Sequence, residues 1–181
     1  MNLYKLHSEP ESMEYYGFHY DNVAELIWDK HRDNPIELMN REKAIAKDPK
    51  YAVEYARKIL NGRFPLGEEA IAKKPNYAYL YAKNVLQDQF LLGEEVIAKD
   101  SMYAYLYAKE VLQDRFPLGE EAIAKDPRCA RLYAKNILNS RFPLGEEAIA
   151  KKPRYSYYYA IDVLHGRFPL GEEAIATSGY Q

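Results

Sequence analysis

Five adjacent carboxylate pairs recur along the chain: Glu68/Glu69, Glu94/Glu95, Glu120/Glu121, Glu146/Glu147 and Glu172/Glu173. Two carboxyl groups flanking a glycosidic bond are the apparatus of a glycoside hydrolase. Neighbouring residues on a helix, however, point about 100° apart, and an enzyme does not carry five identical active sites in a row. The pairs equally suit favourable charge in the first turn of a helix, or an acidic ladder along one edge. The histidines, His7, His19, His31 and His165, form neither an HExxH motif nor an i, i+4 pair. His165 reads as polar filler at a turn. The single Cys129 excludes a disulfide framework or a cysteine zinc site within one chain. Gly67, Gly93, Gly119, Gly145 and Gly171 are too widely spaced for a phosphate-cradling loop. They predict close helix approach at the seam between repeats. The sequence therefore offers no catalytic residue, no metal ligand and no cofactor-binding residue, and the expectation is not an enzyme.

The regular spacing of those groups is the dominant property of the chain. Stepping from Tyr51 by 26 residues gives repeats at 51–76, 77–102, 103–128, 129–154 and 155–181, the last dissolving into Thr-Ser-Gly-Tyr-Gln. Ala44-Ile-Ala-Lys47 matches Ala70-Ile-Ala-Lys73, so 25–50 is a degenerate first repeat. Residues 1–24 fit no copy and are expected to form an N-terminal cap. At 181 residues this is one domain. A composition of 48% hydrophobic and 29% charged residues is globular rather than disordered. No apolar run is long enough to span a membrane, and the N-terminus lacks the apolar core of a secretory signal. A cytoplasmic protein is expected.

Each repeat predicts two short helices. The first runs through Tyr103–Leu112 and its equivalents, opened by a cap at Asp48 or Asp126 with Pro49 or Pro127 at the first helical position, or by Asp100-Ser101, the cap without the proline. Repeats opened by Lys74-Pro75 and Lys152-Pro153 lack the acid and should be capped less well. The second starts at proline, carries the glutamates in its first turn and a lysine near its end, and is too short to persist without packing. Ala104, Ala108 and Val111 share one face of the first helix, and Leu118, Ala122 and Ile123 form the matching apolar stripe of the second. Phe116 anchors the turn between them. Stacked neighbours must bury these stripes. The prediction is an all-α fold, an α-solenoid of about six 26-residue two-helix repeats. With helix axes about 8–10 Å apart, the rod is on the order of 50–60 Å long.

Tyrosine is the most informative residue type: thirteen of the 18 lie in the first five positions of the first helix. The fifth position is tyrosine in every full copy (Tyr55, Tyr81, Tyr107, Tyr133, Tyr159), which predicts a structural ladder with stacked rings and hydroxyls at the rim. The third position varies: Val53, Tyr79, Tyr105, Arg131, Tyr157. Tyr and Arg are the residues that dominate protein interfaces. Tyr79, Tyr105, Arg131, Tyr157 and the adjacent Tyr158 are therefore the candidate partner-binding residues; the alternative is that they cover the next layer. Net charge is only −2, which argues against a nucleic-acid binder. The most basic repeat, 129–154, holds Arg131, Lys135, Arg141, Lys151, Lys152 and Arg154, a possible phosphate-binding patch. The final repeat has no polar closing helix over Leu170, Ala174 and Ile175, so a homo-oligomer through that end is also expected.

The consensus YAYLYAKxVLxxRFPLGEEAIAKDP resembles a 26-residue repeat of uncharacterised proteins of tailed bacteriophages and their bacterial relatives, DPEYAYxYAxxVIKGRF-xGExxI. The resemblance covers residues 25–180, with Cys129 in place of the leading tyrosine and Leu91 in place of proline as departures. It implies a viral or prophage origin and a helical repeat, and it carries over no activity. A protein-binding scaffold acting on a host protein, such as a defence or regulatory factor, is the function this points to. A nucleic-acid role, through the basic patch or acidic mimicry, and a self-assembling structural protein are the alternatives.

Overall fold

The computed structural model describes residues 13–15, 18–20 and 35–178 of the chain. From Pro49 onward it is an α-solenoid of helix pairs recurring every 26 residues. The first helices are Pro49–Tyr55, Pro75–Tyr81, Ser101–Tyr107, Pro127–Tyr133 and Pro153–Tyr159. The second helices are Pro65–Ile71, Leu91–Ile97, Glu120–Lys125, Pro143–Ala150 and Glu172–Thr177, the third and fifth preceded by short 3₁₀ turns at Pro117–Gly119 and Pro169–Gly171. A helix at Pro35–Ile45 stands ahead of them where the degenerate repeat places its second helix. Consecutive first helices pack on one another, and so do second helices. A small antiparallel ribbon pairs Met13–Tyr15 with Phe18–Tyr20, Met13 opposite Tyr20. The remainder of the expected cap at 1–24, and residues 25–34 of the degenerate repeat, lie outside the described residues.

Local chemistry sets the helix boundaries. Asp48 accepts the Lys50 and Tyr51 N–H groups, Asp100 those of Met102 and Tyr103, and Asp126 that of Cys129. Lys74 and Lys152 provide no side-chain cap, as their chemistry dictates. Each first helix then widens into a π turn, at Ala56–Leu60, Ala82–Leu86, Ala108–Leu112, Ala134–Leu138 and Ala160–Leu164. The turn closes on a left-handed residue: Asn61, Gln87, Gln113, Asn139 or His165, with φ between 47° and 52°. The two N–H groups that follow the first turn converge on one carbonyl, as Asn61 and Gly62 do on Ala56. His165 is thus more than filler, because it holds a conformation that costs an L-residue about 1–2 kcal/mol.

The glycines act inside a repeat, not at the seam between repeats. A Cβ on Gly119 would lie 2.6 Å from Phe116 Cδ1 and 2.8 Å from Ala104 Cβ, both in its own repeat. Its backbone, with φ −93°, makes no demand for glycine; the demand is for space between the two helices. Ala52, Ala78, Ala104 and Ala130 are the buried counterparts, with Ser156 in the last repeat bonded to the Ile149 carbonyl.

The buried core is a column of Tyr, Phe, Ile and Ala repeated at each layer. Ile71, Ile97, Ile123 and Ile149 are fully buried, as the stripe requires. The leucine assigned to that stripe is not. Leu66, Leu92, Leu118, Leu144 and Leu170 are 52–62% exposed. The residue follows the one that opens this turn, proline in four repeats and Leu91 in the other, and the glycine contact presses the opposite side of that turn against the first helix, which turns the leucine outward.

The glycine contact carries a direct prediction. Gly119→Ala overpacks the helix pair and should cost about 1–3 kcal/mol in urea unfolding. Leu118→Ala, one residue away on the outer face, should shift stability by no more than about 0.5 kcal/mol.

Candidate functional site

The fifth-position tyrosines join the repeats. Each ring packs on the phenylalanine of its own repeat, with centroids 5.1 Å apart for Tyr81 and Phe90 and 5.0 Å for Tyr159 and Phe168. Each hydroxyl crosses to the preceding repeat. Tyr81 accepts the Phe64 N–H at 2.8 Å and donates to Glu68 at 2.9 Å. Tyr107 does the same with Phe90 and Glu94, Tyr133 with Phe116 and Glu120, and Tyr159 with Phe142 and Glu146. Tyr55 donates to Glu42 at 2.8 Å, so the helix at Pro35–Ile45 supplies the same carboxylate. The hydroxyls are therefore interior, not at the rim. The rings are fully buried, and burial pushes the Tyr81, Tyr133 and Tyr159 phenols up to about 12.

This junction divides the carboxylate pairs into two roles. The first glutamate is held bidentately by an arginine five residues earlier: Arg63 on Glu68, Arg115 on Glu120, Arg141 on Glu146 and Arg167 on Glu172. Gln89 replaces that arginine before Glu94. The Arg141 hydrogen bonds hold the Glu146 carboxyl below its usual range, opposed by burial. The second glutamate is exposed and pairs with a lysine one turn on, as in Glu69–Lys73 and Glu147–Lys151, both at 2.8 Å. The two members of a pair thus lie in different surroundings, the first bonded within the stack and the second at the surface. Half of the expected acidic ladder is spent inside the junctions.

The varying third position also lies at a junction. Tyr79 and Tyr105 are only 5% and 4% exposed. Tyr79 donates to Glu110 of the next repeat, which Lys83 also engages at 2.7 Å. Asn136 donates its Nδ2 hydrogen to Tyr105 Oη at 2.7 Å. Arg131 donates to Asp162 at 2.9 Å, with Lys135 on the same carboxylate, and its guanidinium lies 5.6 Å from the centre of the Tyr158 ring. Tyr157 contacts Tyr158 edge-on. The structure brings Arg131, Tyr157 and Tyr158 together at the last junction. It places Tyr105 one junction earlier and Tyr79 two, inside the stack, where they cover the next layer. The basic patch disperses as well: Arg131, Lys135, Arg141 and Lys151 are each in ion pairs.

What remains outward is the second-helix face. The five exposed leucines stand one per repeat, with Leu91 beside Leu92. Between successive second helices the surface sinks into grooves. One, of about 560 Å³, is lined by Ala124, Leu144 and Ala148 and edged by Lys125 and Lys151. Another, of about 530 Å³, has Ala46, Leu66 and Ala70 in the equivalent places, edged by Lys47 and Lys73. The periodic leucine was visible in the sequence. Helical periodicity alone assigned it to the core because it shares a face with Ala122. Among the described residues, no group of three or more His, Cys, Asp or Glu is placed to hold a metal ion, and no helix is long and apolar enough to cross a membrane.

The junction predicts a pH profile. A buried phenol with a raised folded pKa adds stability that is complete below the ordinary value near 10 and is lost as pH rises toward 12. The midpoint of urea unfolding should therefore hold steady from pH 7 to 9 and fall between pH 10 and 12. Tyr81→Phe should cost about 1–3 kcal/mol at pH 7, since it strands the Phe64 N–H and removes one hydrogen bond from Glu68, and should make the alkaline fall shallower.

No protein-family model, no curated protein and no solved structure matches the chain.

Proposed function

We propose that this protein is a rigid helical-repeat scaffold that acts by binding another protein along its second-helix face, rather than by catalysis. The observation that carries the reading is the row of five leucines, identical in every full repeat and more than half exposed while the rest of the repeated apolar core is covered. Scattered surface leucines need no explanation, but a periodic apolar row beside small-residue grooves is the form of an interaction surface. Ala124 and Ala148 keep the groove open, Leu144 stands over it, and Lys125 and Lys151 give it a charged edge. The stack supports this use, because neighbouring repeats fix the spacing between leucines and the partner meets a preorganised surface.

The resemblance to phage repeat proteins supports a viral or prophage origin and a target in the bacterial cytoplasm, a defence or regulatory protein of the host. The third-position residues enter this reading as supports of the array, with the adjacent Tyr158 exposed at its last junction.

The test is affinity capture from bacterial lysate, read by mass spectrometry, with the wild-type chain beside a Leu118→Lys, Leu144→Lys double variant. Both positions are exposed, so the variant keeps the fold, which circular dichroism checks. Losing two half-exposed leucines from an interface costs roughly 1 kcal/mol each, or about 30-fold in affinity. A host protein captured by the wild type and depleted from the variant is the expected result. Equal capture by both baits, or recovery of only nucleic acid or the bait itself, overturns the reading.

A further inference from the structure

The junction glutamates are not equally served. Glu68, Glu120, Glu146 and Glu172 each accept two hydrogen bonds, 2.7–3.0 Å long, from Nε and Nη2 of an arginine five residues earlier. Glu94 has Gln89 in that place. Among the described residues it accepts only the Tyr107 hydroxyl, at 2.9 Å, through Oε1. We propose that a partner protein completes this clamp, placing an arginine on Glu94 and an apolar residue beside it on Leu91 and Leu92. The proposal rests on the reading of the leucine face as the binding face and names the chemistry that this face recognises.

A second substitution stands two residues from the first. Arg-Phe-Pro opens the second helical segment in the other four full repeats, and Gln-Phe-Leu opens it here. Leu91 gives up the proline that suits a helix start. Packing gains little in return, because Leu91 is 70% exposed, beside Leu92 at 58%. Gln89 gives up a charge-assisted fork that Glu94 is placed to receive. Both changes forgo something that the sister layers keep, and both sit on the outer surface around Phe90. Together they remove a cation from that surface and add apolar area to it. Depletion of charge around apolar anchors is the composition of an interface core, and stability given up at such a place is the usual cost of function.

The sister layers also define the occupant. Residues 88–95 carry three acids and no base, whereas 114–121 carry the same three acids together with Arg115. A cation is what this corner lacks. The forks of the other layers select which cation, since a planar guanidinium meets both carboxylate oxygens at once and an ammonium does not. The place is reachable from outside: the arginine side chains that fill it elsewhere are 57–83% exposed, and Gln89 is exposed too. Tyr107 already anchors Glu94, so the carboxylate is held in position before a partner arrives.

The experiment titrates the full chain with hexylguanidinium chloride, which joins a guanidinium to an apolar tail, and follows the backbone amides by heteronuclear NMR. Saturable shifts of the amides from Leu91 to Glu95 are expected. Hexylammonium should bind about tenfold more weakly, and so should hexylguanidinium to the Gln89→Arg chain, whose own arginine fills the clamp. That variant restores the sister-layer fork, so it should unfold at no lower temperature than the wild type. Equal shifts with hexylammonium, or equal affinity for the Gln89→Arg chain, overturns the proposal. Capture from lysate separates it from the reading on which it rests. The expected result is a host protein lost both by Gln89→Arg and by the Leu118→Lys, Leu144→Lys bait. A host protein kept by Gln89→Arg and lost by the leucine variant overturns the arginine anchor and leaves the leucine face standing. One kept by both overturns the face, and this proposal with it. Light scattering that shows the wild type pairing with itself, and Gln89→Arg not doing so, also overturns it, because a second copy then supplies the guanidinium.

Discussion

The array depends on one buried hydroxyl per layer. The second helical segment of a repeat begins at a proline, or at Leu91, and the residue before it, phenylalanine, has an N–H that no backbone carbonyl reaches. An N–H left in that position and buried is costly. The next repeat supplies the acceptor from a tyrosine whose own hydrogen goes on to a glutamate, and in most layers the glutamate is held by an arginine. Each member makes sense only with the others. Phenylalanine in place of tyrosine would bury as well and would leave the N–H unsatisfied and the carboxylate short of one hydrogen bond. The glutamate must be the first of its pair, since only that residue lies over the junction. Gln89 shows that the arginine is the dispensable member: Tyr107 reaches Glu94 without it.

A stack of near-identical layers has a second problem, which is order. If every junction were the same, a layer would fit any other. The third and eighth positions remove that freedom. Tyr79 meets Glu110, Tyr105 meets Asn136, and Arg131 meets Asp162, while the register sets Val53 against Asn84. These pairs are unlike one another. Exchanging Arg131 for a tyrosine would leave Asp162 with Lys135 alone, and placing Arg131 before Asn136 would bury a cation without an acid. Variation at a repeated position here records which neighbour each layer takes, so a variable row in a repeat protein is not by itself a binding surface.

Much of this was legible beforehand, and the failures share a cause. The repeat length, the helix pair, the aspartate caps and the weaker caps at Lys74 and Lys152 follow from local rules, and the structure agrees with them. Leu118 was misplaced because helical periodicity groups it with Ala122, and a two-turn helix has too few residues for the period to separate a buried stripe from its border. The tyrosine ladder was seen, but its direction was not, because a hydroxyl bonded 17 residues away leaves no local signature. The glycines were read as contacts between repeats. Sequence spacing cannot distinguish a neighbour within the hairpin from one in the next hairpin, since both recur with the same period. The left-handed residues had a usable signal: Asn, Gln or His stands at one fixed position, followed by Gly, Asp or Ser, and that pattern is a helix stop.

The division of labour between the two helices follows from the same constraint. The first helix spends its faces on the junctions: positions one, five and eight look back, and positions three and seven look forward. Its identity is fixed by its neighbours, and changing it changes the stack. The second helix gives one glutamate to the junction and one isoleucine to the core, and the glycine presses it against the first. Its leucine and its last turn are under no such demand. In a nearly one-dimensional protein, stability is a sum over layers and their junctions, so the surface left over is the surface free to be used. The five leucines keep one residue type at a position where packing asks for none, a departure from what stability alone requires, and they face outward.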